Sequence, residues 1–243
     1  MSLVLTTLEF DVLWESLRLP RAHPALRVPS PGRTHTERRQ LAGRAWEMLA
    51  DRGLARGQRA VGEIVDMATL LANPQVAIDV WVWTDREIHG LAVSNGSQAL
   101  LAVVDSGEVW LIPARPNALA ESAVSVAGEQ PAGVGHSVSL PHSTLRAADA
   151  DAKGDPKSLV TALEDRGVEL WEAQELAGML VGMTTRGQFG VEREGRRAGR
   201  VVAFYDTDAG RYLLQVGGQD WATVAPADNQ LLVSRVAELL DEA

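Results

Sequence analysis

The sequence contains no cysteine. That single absence excludes disulfides, iron–sulfur clusters, thiolate zinc sites and cysteine nucleophiles. Lysine is nearly missing too. Lys153 and Lys157 are the whole supply, so arginine provides almost all of the 23 cationic side chains set against 32 acidic ones, for a formal net charge of −9. A surface of that sign repels phosphate backbones unless a basic patch is set apart from it, so nucleic acid is not an expected partner. No run of 18 apolar residues occurs, and membrane insertion is not expected. Met1–Glu9 has no basic segment leading into an apolar stretch, which argues against a secretory signal and for a cytoplasmic location.

The usual catalytic signatures are missing as well. The five histidines are His23, His35, His89, His136 and His142, and no two stand at i, i+4 on a predicted helix. There is no His-Glu-x-x-His, no Gly-x-Ser-x-Gly, no Ser-x-x-Lys and no Walker lysine. Gly133-Val134-Gly135 has no third glycine and leads into no predicted helix. Asp206-Thr207-Asp208 resembles the opening of a calcium loop, but the glycine at position six and the glutamate at position twelve that would complete the oxygen shell are absent. It reads as a hairpin turn. No catalytic, cofactor-binding or metal-ligating residue is assigned, and the chain reads as a non-enzyme.

What is present is patterned secondary structure. Thr6 and Glu9 have the spacing of a capping box, and Phe10, Leu13, Trp14 and Leu17 follow as one helical stripe. Thr34 and Glu37 open a second helix with Leu41, Ala45, Met48 and Leu49, stopped at Gly53, and Val61–Leu71 forms a third, closed by Asn73-Pro74. The period then drops to two. Val76–Trp83, Glu87–Val93, Gln98–Val104 and Glu108–Pro113 read as a meander, with Ser94–Ser97 and Asp105–Gly107 as turns, and a short helix follows near Asn117–Ala127. Asp155-Pro156 is a helix cap with a first-turn proline. After it come Leu159 and Leu163, then a stripe of Leu176, Met179, Leu180 and Met183. Strands are expected at Gln188–Glu192, Arg200–Tyr205, Arg211–Val216 and Trp221–Val224, and a last helix from Asp228.

The same order occurs twice. Asp51-Arg52-Gly53 recurs as Asp165-Arg166-Gly167, and a single offset places Val80 on Val191, Arg86 on Arg197, Ala92 on Ala203, Gly107 on Gly218 and Trp110 on Trp221. This predicts an internal duplication. The expected fold is α+β, with two pseudo-twofold-related halves, each an antiparallel meander with packed helices. Residues 1–127 form the N-terminal half, 128–156 a linker or loop rich in small and acidic residues, and 157–243 the C-terminal half, all treated as one globular domain. Trp46 and Trp171, each beside an Asp-Arg-Gly turn, are expected in the core. Trp81 and Trp83 share a strand face that is either core or interface.

Leu5–Trp14 (LTTLEFDVLW), Arg27–Arg33, Leu49–Leu54 (LADRGL), and above all Asp206–Tyr212 (DTDAGRY) with Trp221–Pro226 (WATVAP), resemble the EspG family. These are cytosolic chaperones of type VII (ESX) secretion in actinobacteria. The resemblance spans nearly the whole chain and implies a quasi-twofold α+β fold. It also implies binding of the helical tip of a PE–PPE-like heterodimer, or another helical substrate of that export pathway, to keep it soluble until secretion. The partner-binding positions it implies are the hairpin at Ser94, Asn95 and Gly96 and, in the second half, Asp206, Thr207, Asp208, Arg211, Tyr212 and Gln215. Tyr212 and Gln215 are expected to point outward, and Arg211, at the strand start with its stem over the sheet, is expected to serve an acidic client tip. Homodimer formation stays open. So do two other readings: a non-catalytic interaction domain with a different client, and an enzyme with a site between the halves.

Overall fold

The structure, a computed structural model, describes residues 2–217 and 220–243. Gly218 is outside that range, so its match to Gly107 lies outside the described residues. The chain divides into two compact units. One comprises residues 1–81, 87–126 and 192–196, and the other 82–86, 127–191 and 197–243.

The first unit begins with β1 (Leu3–Thr6) and α1 (Thr7–Ser16). The Thr6 hydroxyl accepts from the Glu9 amide at 3.1 Å while the Glu9 carboxylate accepts from the Thr6 amide at 2.7 Å, so two free donors at the helix start are satisfied reciprocally. Then follow α2 (His35–Asp51), the two-residue strands β2 (Ala55–Arg56) and β3 (Arg59–Ala60), and α3 (Gly62–Ala72). The meander is β4 (Val76–Trp83), β5 (Glu87–Ser94), β6 (Ala99–Asp105) and β7 (Glu108–Ala114), followed by α4 (Leu119–Val124). The strands lie in the order β1-β7-β6-β5-β4. The core packs Leu5, Phe10, Leu13, Leu49 and Ile64 against Leu91, Val93, Ala102 and Leu111, and Trp46 is buried with them, as its position in α2 predicts.

The second unit corrects the linker reading. Residues 128–156 contain β8 (Val138–Pro141) and α5 (His142–Ala152). Val138 and Leu140 are buried in alternation, and Leu145, Ala148 and Ala152 are buried at helical spacing. An apolar stripe made mostly of alanine among Ser and Asp looks like loop composition, which is why it escaped notice. After α6 (Pro156–Glu164) and α7 (Leu170–Leu180) come β9 (Thr185–Arg193), β10 (Arg196–Arg197), β11 (Val202–Thr207), β12 (Gly210–Val216), β13 (Trp221–Pro226) and α8 (Asn229–Glu242). Met183, expected on α7, lies beyond its end. The strand order is β9-β11-β12-β13-β8.

Taken separately, the two units repeat one topology: a strand, three helices, a four-strand meander and a closing helix. Trp110 on β7 pairs with β1, and Trp221 on β13 pairs with β8; both indoles are half exposed, at 41% and 47%. The two Asp-Arg-Gly triplets also do the same job. In each, the glycine takes positive φ (+72° at Gly53, +84° at Gly167) and its amide donates three residues back. The next amide, Leu54 or Val168, donates five residues back, which closes the helix with its last carbonyls satisfied. Arg52 then reaches the buried Glu9 on α1 at 3.2 Å, and Arg166 pairs with Asp151 on α5, the helix that occupies the place of α1.

Candidate functional site

Asp206–Gln215 is built around Arg211, which is fully buried. Its Nε donates to Asp206 Oδ1 at 2.7 Å and its Nη2 to Asp206 Oδ2 at 2.9 Å, a two-pronged ion pair. Nη2 also donates to the Ala127 carbonyl at 2.7 Å, and Nη1 to the Gly128 carbonyl at 3.1 Å and to Asn229 Oδ1. All five guanidinium donors are thereby used. The guanidinium plane lies over the Phe204 ring, 4.7 Å from its centroid.

This cluster secures a strap, residues 127–136, across the start of β12. The Arg211 amide donates to the Pro131 carbonyl and the Arg211 carbonyl accepts from the Gly133 amide, both at 2.9 Å. The Tyr212 hydroxyl donates to the Val134 carbonyl at 3.0 Å. Gly133 lies flat on the Tyr212 ring, where a Cβ would come within 2.2 Å of the ring carbon that bears the hydroxyl. Beyond it, the His136 amide donates to the Glu175 carboxylate on α7.

The outward placing of Tyr212, and the accessible Arg211 that an acidic client tip would need, are therefore corrected. Both are buried, as are Asp206 and Thr207: the Tyr212 ring joins the core of the second unit, and Arg211, on the opposite face of β12, is enclosed by Phe204, Ala127, Gly128 and Asn229. Asp208 is exposed at the turn and Gln215 is half-buried, so these two remain accessible. The first hairpin is self-contained. Asn95 Oδ1 accepts from the Ser97 and Gln98 amides at 3.2 and 2.9 Å, and the buried Ser94 hydroxyl accepts from the Gly96 amide at 3.0 Å. Beside it an open groove of about 540 Å³ runs along α3, walled by Glu63, Asp66, Met67, Gln98 and Pro113. Trp81 is half-buried on the core of its unit, with Nε1 donating to Asp79 at 2.9 Å, and Trp83 lies under the Arg186 guanidinium, 5.3 Å away. Among the described residues, no group of three or more His, Asp or Glu side chains is placed to hold a metal ion.

The surface that sequence reasoning missed is on α7. Trp171, expected in the core, is 62% exposed, and Leu170 beside it is exposed too. The buried face of the helix is Ala173, Leu176, Ala177 and Met179. At about 100° per residue Trp171 falls nearly opposite that stripe, a phase relation that the sequence does contain. One turn on, on the face of Trp171, Glu175 holds the strap, whose Val134 is 70% exposed. Val181 and Met183 add exposed apolar area past the end of the helix. Exposed large apolar side chains on one helix and just past its end make this face a candidate contact surface.

Comparison with known proteins places this arrangement. A sequence model of the EspG family matches residues 6–238. Among solved structures, the chain is similar to the Mycobacterium tuberculosis type VII secretion system chaperone EspG5, whose structure is of a complex with the PE25–PPE41 dimer. The TM-score is 0.79 at 14% identity, over 99% of this chain and 96% of that one. Curated protein sequences give no significant match.

Proposed function

The chain belongs to the EspG family, and on that premise we propose that it is a cytoplasmic chaperone of type VII secretion with no catalytic role. It binds the apolar helical tip of a PE–PPE-like heterodimer and keeps the pair soluble until export. The observation that carries this reading is the exposed Leu170–Trp171 pair on α7, the helix whose Glu175 holds the strap that carries the exposed Val134. An apolar centre of this kind, with charged side chains around it, has the make-up of a protein interface rather than of a reaction cleft. No helix is long and apolar enough to cross a membrane among the described residues.

The test is co-expression with PE–PPE-like pairs from the same genome, read as complex by size exclusion. Wild type carries one such pair through the column. Trp171→Ala keeps its unfolding midpoint, because an exposed ring contributes within about 0.5 kcal/mol of stability, yet loses about 2 kcal/mol or more of binding, as a central aromatic anchor does. A wild-type protein that leaves every such pair uncomplexed is not this chaperone. Retention of the pair by the Trp171 variant moves the interface off α7.

A further inference from the structure

The chain leading into α7, and its first turns, are rich in carboxylates. Glu164 and Asp165 end α6, Glu169 and Glu172 bracket Leu170–Trp171, and Glu175 follows one turn on. Their cationic neighbours are few. Arg166 is taken up by Asp151 and by the Ala162 carbonyl at 2.7 Å, and no lysine or arginine occurs from residue 167 through 185. Glu175 is occupied by the strap, with His136 Nδ1 3.3 Å from its Oε1. Glu164, Asp165, Glu169 and Glu172 have no ion-pair partner among the described residues. Arg211, the cation that the sequence offered to an acidic client, is sealed away from this surface. The apolar pair therefore stands in a stretch of chain that carries carboxylates and, from residue 167 through 185, no lysine or arginine.

We propose that this face selects a client whose helical tip bears an apolar anchor flanked by lysine or arginine. The inference rests on the function proposed above and adds the charge of the partner. Trp171 and Leu170 supply contact area that slows dissociation, while the carboxylates draw a basic tip in and repel acidic ones. Electrostatic steering of this kind acts on the association rate and is screened by salt within about 10 Å at 0.1 M.

The experiment measures association and dissociation rates for a PE–PPE-like pair from the same genome by biolayer interferometry, at about 50 mM and about 500 mM KCl. Wild type is compared with the double variant Glu169→Gln/Glu172→Gln. A control, Glu47→Gln/Glu108→Gln, makes the same change in net charge on exposed positions of the other unit. Expected is an association rate lowered about fivefold or more by the α7 variant at low salt, less than about twofold by the control, and a difference that closes at high salt. The charge reversal Glu169→Lys/Glu172→Lys lowers it further, with circular dichroism unchanged. An unchanged or faster association in the α7 variants overturns the basic-tip assignment while the chaperone reading stands. A wild-type protein that does not bind the pair overturns both.

Discussion

The Arg211 guanidinium grips the Asp206 carboxylate through two hydrogen bonds of 2.7 and 2.9 Å, with both side chains closed off from solvent. The pair stands two residues either side of the hairpin turn at Asp208-Ala209, where Thr207 Oγ1 accepts from the Ala209 amide at 3.1 Å. Burying two charges this deeply is worthwhile only if the remaining donors are satisfied, and the carbonyls of Ala127 and Gly128 together with Asn229 do that. Arg211→Ala removes one charge and leaves the other without a partner. The expected loss is about 3–5 kcal/mol of unfolding free energy, measured by urea titration. Arg211→Lys recovers little of it, because an ammonium cannot make the two-pronged contact and reach the strap carbonyls as well.

Tyr205 is the opposite case. Its ring stacks on Tyr212 at 5.5 Å between centroids, but its hydroxyl is buried with no partner among the described residues. Burial, and secondarily Tyr212, push its ionisation well above the usual phenol range. Tyr205→Phe keeps the stack and removes the unpaired hydroxyl. The melting temperature should hold or rise, with a gain of up to about 1–2 kcal/mol.

Gly133 is required by proximity. A methyl group there would collide with the Tyr212 ring, and a Cβ on Gly210, at φ +119°, would come within 2.8 Å of the Ala132 carbonyl oxygen and of Gly133. Gly133→Ala should lift the strap, at a cost of roughly 1–3 kcal/mol. The specific readout is faster proteolytic cleavage within residues 128–136, with the rest of the chain left intact.

Asp155 caps α6, its carboxylate accepting from the Ser158 amide at 2.7 Å and from the Ser158 hydroxyl at 2.6 Å. The hydroxyl bond chiefly, then the amide bond, lowers its pKa from 3.8. A carboxyl that is more acidic when folded stabilises the fold in full above its unfolded value, and the contribution disappears as pH falls through the folded one. Acid unfolding of Asp155→Asn should therefore lack one carboxylate-linked step that wild type shows near pH 4 and below, since the amide oxygen still caps without titrating.

Much of this architecture is written in short-range pattern. The Thr6–Glu9 capping box, the Asp155-Pro156 helix start, the Asp-Arg-Gly stops and the two meanders depend on residues within a few positions of one another, so spacing alone reveals them. The phase of Trp171 on α7 belongs to the same class, since it needs only the 3.6-residue period. The burial of Arg211 and Tyr212 does not. Local alternation on β12 says which residues share a face but not what covers it, and the cover is a glycine-rich segment whose bond from Arg211 to Gly128 spans 83 residues. Such a segment has no period of its own and reads as a linker, because its order comes from partners far along the chain. The amino-acid order thus determined the elements and their repetition. Packing decided that the DTDAGRY segment is an internal clamp with Arg211 and Tyr212 buried, and that the strap which holds it leaves Val134 exposed.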